Sequence, residues 1–185
     1  GTINIVHEVG SDVAQAFVAA PGVDVLSYTG STAVGKAIMA AAAPQLKRLS
    51  LELGGKAPCV VCDDADLSIT VREILAAGTI LSGQQCTAAS RILVHRKLLS
   101  DFRDAMTEAM GDFRVGPGHL ADSRMGAVID VANRDRILHL VEDLGERHRM
   151  VVRGGPVVGL SAHGAFVSPT LVEVDDAQAP AVQDE

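Results

Sequence analysis

Val25-Leu26-Ser27-Tyr28-Thr29-Gly30-Ser31-Thr32-Ala33-Val34-Gly35-Lys36 is the stretch that decides the fold. Its first half is extended and half apolar, its second half is a helix start, and Gly30 stands between them. Glycine lets a backbone turn sharply there and come close to a ligand. A strand that turns straight into a helix sets Ser31 and Thr32 at the helix N-terminus. Free N–H groups and the helix dipole favour an anion at that place, and a phosphate or pyrophosphate is its natural occupant. Taken alone, Ser31 reads better as an ordinary helix cap. The stretch also fits G-x-x-x-x-G-K, the first part of a P-loop, with Asp63 as a second metal ligand. A P-loop needs Ser or Thr next, however, and residue 37 is Ala.

Working outward, extended and helical segments alternate. Thr2–Val6 reads as a short strand and Ser11–Ala20 as a helix capped by Ser or Asp. Val23–Tyr28 is a strand, and Ser31–Ala42 is a helix stopped by Pro44. Lys47–Leu53 and Ala57–Val61 are strands separated by Gly54-Gly55. A helix over Asp66–Leu81 leads into the loop Ser82-Gly83-Gln84-Gln85-Cys86. A strand at Arg91–His95 and helices at Leu98–Met110 and Asn133–Leu144 follow, then extended segments at Met150–Arg153 and Phe166–Leu171. The Gly, Pro and Asp content of residues 111–124 marks a loop. This order predicts an α/β fold with largely parallel sheets. The domain boundary falls near Leu51 to Lys56, drawn between residues 51 and 52, where a chain ending one sheet can cross into a second.

The 185 residues can bury a real core, with 48% hydrophobic and 21% charged residues, an ordinary globular balance. With 3% aromatics and no Trp, that core must be built from Ala, Val, Leu and Ile. A net charge of -7 argues against a nucleic-acid surface, which needs a basic face. No apolar run is long enough for a bilayer span, and no basic-then-apolar leader opens the sequence, so no membrane association or export is expected. Three cysteines, an odd number, point to a reducing compartment, the cytoplasm. Cys59-Val60-Val61-Cys62 matches CxxC, but it lies in a run that reads as a buried strand. Positions three apart on a strand face opposite ways, and nothing completes a metal site, so no metal is expected.

Two residues stand out as carriers of chemistry. In Leu49-Ser50-Leu51-Glu52-Leu53-Gly54-Gly55-Lys56 the leucines share one face while Ser50 and Glu52 share the other. Alone, Glu52 is an ordinary solvated strand position. The glycine pair after it, and an apolar neighbourhood that would favour a protonatable carboxylate, suit a general base. Cys86 differs from the other cysteines in lying in a polar, glycine-containing loop held between a helix and a strand, where reactive groups tend to sit. A thiolate is a strong nucleophile once its pKa is lowered or a base stands near. An inert loop cysteine is the competing reading, and His95 is not marked as a partner.

Together these segments resemble the aldehyde dehydrogenase superfamily. Tyr28-Thr29-Gly30-Ser31-Thr32-Ala33-Val34-Gly35-Lys36 is similar to its phosphate-binding turn. Leu51-Glu52-Leu53-Gly54-Gly55-Lys56-Ala57-Pro58 is similar to its glutamate signature, and Gly83-Gln84-Gln85-Cys86-Thr87-Ala88-Ala89-Ser90-Arg91 to its cysteine signature. Order and spacing agree, as do Gly154-Gly155 and Phe166-Val167-Ser168-Pro169-Thr170-Leu171 further along.

The resemblance implies a Rossmann-like parallel sheet remnant of a cofactor domain (residues 1–51), followed by the major part of an α/β catalytic domain (52–185). It implies NAD or NADP as cofactor, an aldehyde as small-molecule substrate, and a homodimer or homotetramer. Cys86 would attack the carbonyl, and Glu52 would activate the water that hydrolyses the thioester. The backbone N–H of Cys86 would form half of an oxyanion hole. Gly30 and Ser31 would hold the pyrophosphate, Gly35 would let helix pack on sheet, and Leu53 would approach the nicotinamide through its backbone. Family members extend further at both ends, so the chain is expected to be an internal fragment, with Glu185 where the Glu-x-Phe-Gly-Pro motif would begin. Alone it is expected to aggregate and to be inactive. The rival readings are a P-loop-like nucleotide-binding module built on Gly30–Lys36 and a non-catalytic remnant.

Overall fold

Helix α1 (Asp12–Ala19) opens the regular structure, but the expected Ser or Asp cap does not start it. Instead the Glu8 carboxylate accepts from the N–H groups of Val13 (2.8 Å) and Ala14 (3.0 Å), supplying an anion where the dipole favours one. The computed structural model describes residues 1–161 and 163–184, so Glu185 and the motif expected to begin there lie outside the described residues. Two units divide the chain, Gly1–Gly54 and Gly55–Glu185.

In the first unit, β1 (Val25–Gly30) pairs in parallel with β2 (Arg48–Leu53), with Val25 opposite Arg48 and Gly30 opposite Leu53. Parallel neighbours cannot be joined by a tight turn, so the chain crosses back through α2 (Thr32–Ala42). Pro44 ends that helix in a short 3-10 turn, and Leu46 takes a left-handed conformation (φ 51°) before β2 begins. Glu52 and Leu53 still pair with Thr29 and Gly30, and the change of unit comes after Gly54, within the stretch Leu51–Lys56. Thr2–Val6 is not a strand. No strand among the described residues lies beside it, Ile3 and Ile5 are 84% and 78% exposed, and without a ladder an apolar alternation has nothing to hold it.

The second unit repeats the crossover. β3 (Ala57–Val61) pairs in parallel with β4 (Ala89–Val94) through α3 (Leu67–Thr79). Helix α4 (Leu99–Gly111) then packs beside α3. Val61, Val71, Ile74, Leu75, Phe102, Met106 and Met110 form the core between strand and helices. Each such side chain contributes roughly 1.5–3 kcal/mol on leaving water. β3 is not buried on both faces as its apolar run suggests: Cys59 and Val61 turn to the helices while Val60 is 67% exposed. Cys62, past the strand end, is exposed, so only Cys59 belongs to the core, and all three cysteines are free thiols.

The rest of the unit holds α5 (Val131–Arg147), β5 (Arg149–Val152), β6 (Leu171–Glu173) and the short α6 (Pro180–Gln183), with β5 and β6 antiparallel. Phe166–Leu171 is only partly ladder. Pro169 has no N–H to give to a ladder, and side chains on either side of it accept instead from the facing backbone: Gly155 N donates to Ser168 Oγ (2.9 Å) and Gly154 N to Thr170 Oγ1 (3.1 Å). Glu173 Oε2 ties this strand to α4 and β5 through Arg103 Nε (3.4 Å) and Arg149 (3.7 Å). Among the described residues no helix is long and apolar enough to cross a membrane.

This packing can be tested at two positions. A Cβ at Gly154 would meet the carbonyl oxygens of Ser168 and Pro169, the latter at 2.8 Å, and backbone cannot swing aside. Gly154→Ala should therefore destabilise the folded protein by about 1–3 kcal/mol in urea denaturation; an unchanged midpoint would contradict the close approach. Asp66 caps α3: the Ser68 hydroxyl first, then the N–H groups of Ser68 and Ile69, hold its carboxyl below the usual aspartate value. The cap's contribution is thus complete above the ordinary aspartate range and lost as acidification passes through the lowered value. An NMR titration of the Asp66 carboxyl should show the depressed midpoint, and Ser68→Ala should move it back up.

Candidate active site

The glycine turn stands at the carboxyl end of β1, where the sheet hands the chain to α2. Ser31 is the N-cap, its Oγ accepting from Val34 N (3.3 Å), and Gly35 N closes on Ser31 O (3.0 Å). The N–H groups of Thr32 and Ala33 lie ahead of that first intrahelical bond, and the first turn carries no acidic side chain. The Tyr28 hydroxyl lies where a Cβ on residue 30 would be. Gly35 is buried, and a Cβ there would stand 2.7 Å from Leu53 Cδ2, so glycine lets α2 close onto β2. A helix end of this kind, positive and free of acidic side chains, has the chemistry to take an anion such as a diphosphate.

The ladder places the second group beside the first. Thr29 is opposite Glu52 and Gly30 opposite Leu53, so glutamate and glycine turn share one end of one sheet. Gly30, Ser31, Gly35, Glu52 and Leu53 therefore all belong to the first unit. The Glu52 side chain is exposed with Ser50 on the outer face, and the apolar surroundings expected from its neighbours in sequence are not supplied by this strand.

Cys86 belongs to the second unit. The sequence carries α3 on to Leu81, but the helix ends at Thr79, whose buried hydroxyl bonds back to Leu75 O (2.6 Å). Residues 80–83 then form a 3-10 turn with a left-handed run, Leu81 (φ 48°), Ser82 (φ 60°) and Gly83 (φ 74°). Non-glycine residues adopt that conformation at a cost of roughly 1–2 kcal/mol each. The chain next makes a tight turn closed by Ala88 N to Gln85 O (2.9 Å), with an exposed Cys86 at its tip. Gly55 approaches from the start of the same unit: its Cβ position is 3.4 Å from the Cys86 carbonyl oxygen. Arg91 Nε fixes that approach by donating to Lys56 O (2.7 Å).

Sequence reasoning does not single out Gln84, whose Oε1 accepts from Ile129 N at 2.9 Å. Its place two residues before Cys86 is the one local signal, but a contact across 45 positions leaves no local pattern. His95 does not serve the cysteine; its Nδ1 accepts from Lys97 N (3.4 Å). Asp63, the metal ligand a P-loop reading would need, instead pairs with Lys97 Nζ at 3.1 Å.

Beside this geometry stand the likenesses to known proteins. The mitochondrial succinate-semialdehyde dehydrogenase of Arabidopsis thaliana is 38% identical over 172 residues, which cover 93% of this chain and 32% of that protein. Betaine aldehyde dehydrogenase from Staphylococcus aureus, solved in complex with NAD+, superposes with a TM-score of 0.89 at 34% identity, over 96% of this chain and 35% of that one. An aldehyde dehydrogenase C variant from Pseudomonas syringae, solved with NAD+ and octanal, gives 0.89 at 30% identity over 97% of this chain and 37% of that one. The chain thus spans about a third of the length of these relatives. The model of the aldehyde dehydrogenase family matches residues 1–185. With that match over its whole length, and with the folds it shares, this chain belongs to the aldehyde dehydrogenase family.

Proposed function

We propose that the protein containing this chain oxidises an aldehyde to the carboxylic acid with NAD+ or NADP+, using Cys86 as nucleophile and Glu52 as general base. What supports this reading is the β1–β2 register, in which Glu52 and Leu53 pair with Thr29 and Gly30 next to the Ser31-capped start of α2.

The Cys86 thiolate adds to the aldehyde carbon, forming a C–S bond and placing the electron pair on oxygen. The N–H of Cys86 donates to that oxyanion, where charge develops most strongly in the transition state. Gly30 and the N-terminus of α2 would hold the diphosphate, Gly35 keeps helix and strand close, and the backbone of Leu53 would serve the nicotinamide. When bound, that ring supplies the acceptor for the hydride leaving the substrate carbon. An acyl thioester then remains on Cys86. Glu52 takes a proton from water, the resulting hydroxide adds to the thioester, the C–S bond breaks, and acid and thiolate are released. Covalent capture divides one difficult oxidation into two easier steps.

The substrate is a small-molecule aldehyde and the whole enzyme a homodimer or homotetramer. Three free thiols suit a reducing compartment, and we place the protein in the cytoplasm. The 185-residue chain by itself should associate and be inactive. It exposes Ile129 (80%) and Val60 (67%), and its small sheets among the described residues have two strands each with open edges. Size-exclusion chromatography and a cofactor-reduction assay check this; a monodisperse chain that turns over aldehyde would contradict it.

In the whole enzyme, Cys86→Ala should lower turnover by at least ~10³-fold. Glu52→Gln should keep a stoichiometric burst of reduced cofactor while the steady rate falls about 10²–10⁴-fold. Wild-type turnover in either variant defeats the assignment. Alkylation mapped by mass spectrometry should reach Cys86 before Cys62 and Cys59.

A further inference from the structure

We infer that Gln84 is the positioning residue for Cys86: its side-chain amide locks the left-handed loop before the nucleophile onto the backbone that leads into α5. The inference rests on the role proposed above for Cys86 and extends it to the loop that presents the sulfur.

Leu81, Ser82 and Gly83 follow one another in the left-handed region, and two of the three carry a Cβ that disfavours it. Such a run persists only where its surroundings over-determine it, and strain of this kind gathers at functional sites. Gln84 supplies the restraint with both ends of one amide. Its Oε1 accepts from Ile129 N (2.9 Å), and its Nε2 donates to Leu81 O (3.1 Å), which its own backbone N–H also approaches (3.2 Å). Ile129 N–H can only donate and Leu81 C=O can only accept, so a carboxylate or an alkyl group of the same shape meets at most one demand.

The far anchor is itself fixed. Val128 N donates to Ala165 O (2.9 Å), and Asp130 caps α5 by accepting from Asn133 N (2.7 Å). Ser82 also lies beside the segment that precedes this anchor, its Oγ 3.8 Å from where a Cβ on Gly126 would stand. Cys86 comes two residues after the clamp, at the tip of a turn whose other side-chain bond, Gln85 Nε2 to Thr87 Oγ1, is purely local. Release of the clamp frees the left-handed run and swings the sulfur, and a misplacement of about 1 Å can cost 10² in rate.

The test uses the whole enzyme with Gln84→Ala and Gln84→Glu, the latter retaining an acceptor for Ile129 N but no donor for Leu81 O. The decisive readout is the second-order rate of iodoacetamide labelling at Cys86, followed peptide by peptide, with the exposed Cys62 as internal reference. Gln84→Ala should slow Cys86 labelling more than about threefold with Cys62 unchanged, and lower kcat about 10–100-fold with the cofactor Kd held within about twofold. Gln84→Glu should recover part of both. A Cys86 labelling rate close to that of wild type overturns the inference whatever kcat does, and if Gln84→Ala does not fold, Gln84→Glu is judged by the same criterion. Labelling needs no turnover, so the two ideas fail separately. A Cys86→Ala enzyme that still oxidises aldehyde would sink the proposed function, while the labelling rates would still decide whether Gln84 positions the thiol.

Discussion

Two parallel strands that are neighbours cannot be joined by a hairpin, and most of this chain's chemistry descends from that constraint. The connection must climb back over the sheet, and here it does so twice, through α2 between β1 and β2 and through α3 between β3 and β4. In the first crossover the helix begins where the strand ends, so its positive terminus opens at the carboxyl edge of the sheet. The residues of β2 that pair with that edge are Glu52 and Leu53. The start of α2 and the strand position of Glu52 become neighbours because of strand direction, with no special loop required.

The second crossover solves a different problem at its far end. Its helix stops early, the Thr79 hydroxyl folding back onto Leu75 O, and the chain must turn into β4 within a few residues. It does so through left-handed residues that are unfavourable in isolation, balanced by hydrogen bonds from Gln84 and by the core of α3 and α4 beneath. A cysteine at the tip of such a turn is exposed and held, the combination a nucleophile needs. Cys59 and Cys62 lack it: one is packed into the core and the other lies exposed beyond a strand end.

Family membership says less about the whole protein than the motifs suggest. The matched relatives are about three times as long as this chain, and aldehyde, cofactor form and oligomer are properties of the complete enzyme. What this chain carries is an exposed thiol at the tip of a turn, a carboxylate on a strand and a helix start free of acidic side chains, each set by local structure that can be checked residue by residue.

The sequence by itself determined the elements whose cause is local. Gly30 between an extended run and Ser31, the alternation of Leu49, Leu51 and Leu53, and the stop at Pro44 each act through near neighbours, and each is legible from spacing. Tertiary structure alone decided what depends on a partner remote in the chain. Thr2–Val6 alternates like a strand yet has no ladder, because no strand among the described residues lies beside it. Glu8 rather than Ser11 anchors the start of α1, since a carboxylate several residues upstream reaches the free N–H groups first. Leu81 and Ser82 show nothing left-handed in their side chains. Their conformation exists because an amide two and three residues along is fastened to Ile129, and a pairing across that distance has no period from which a sequence could announce it.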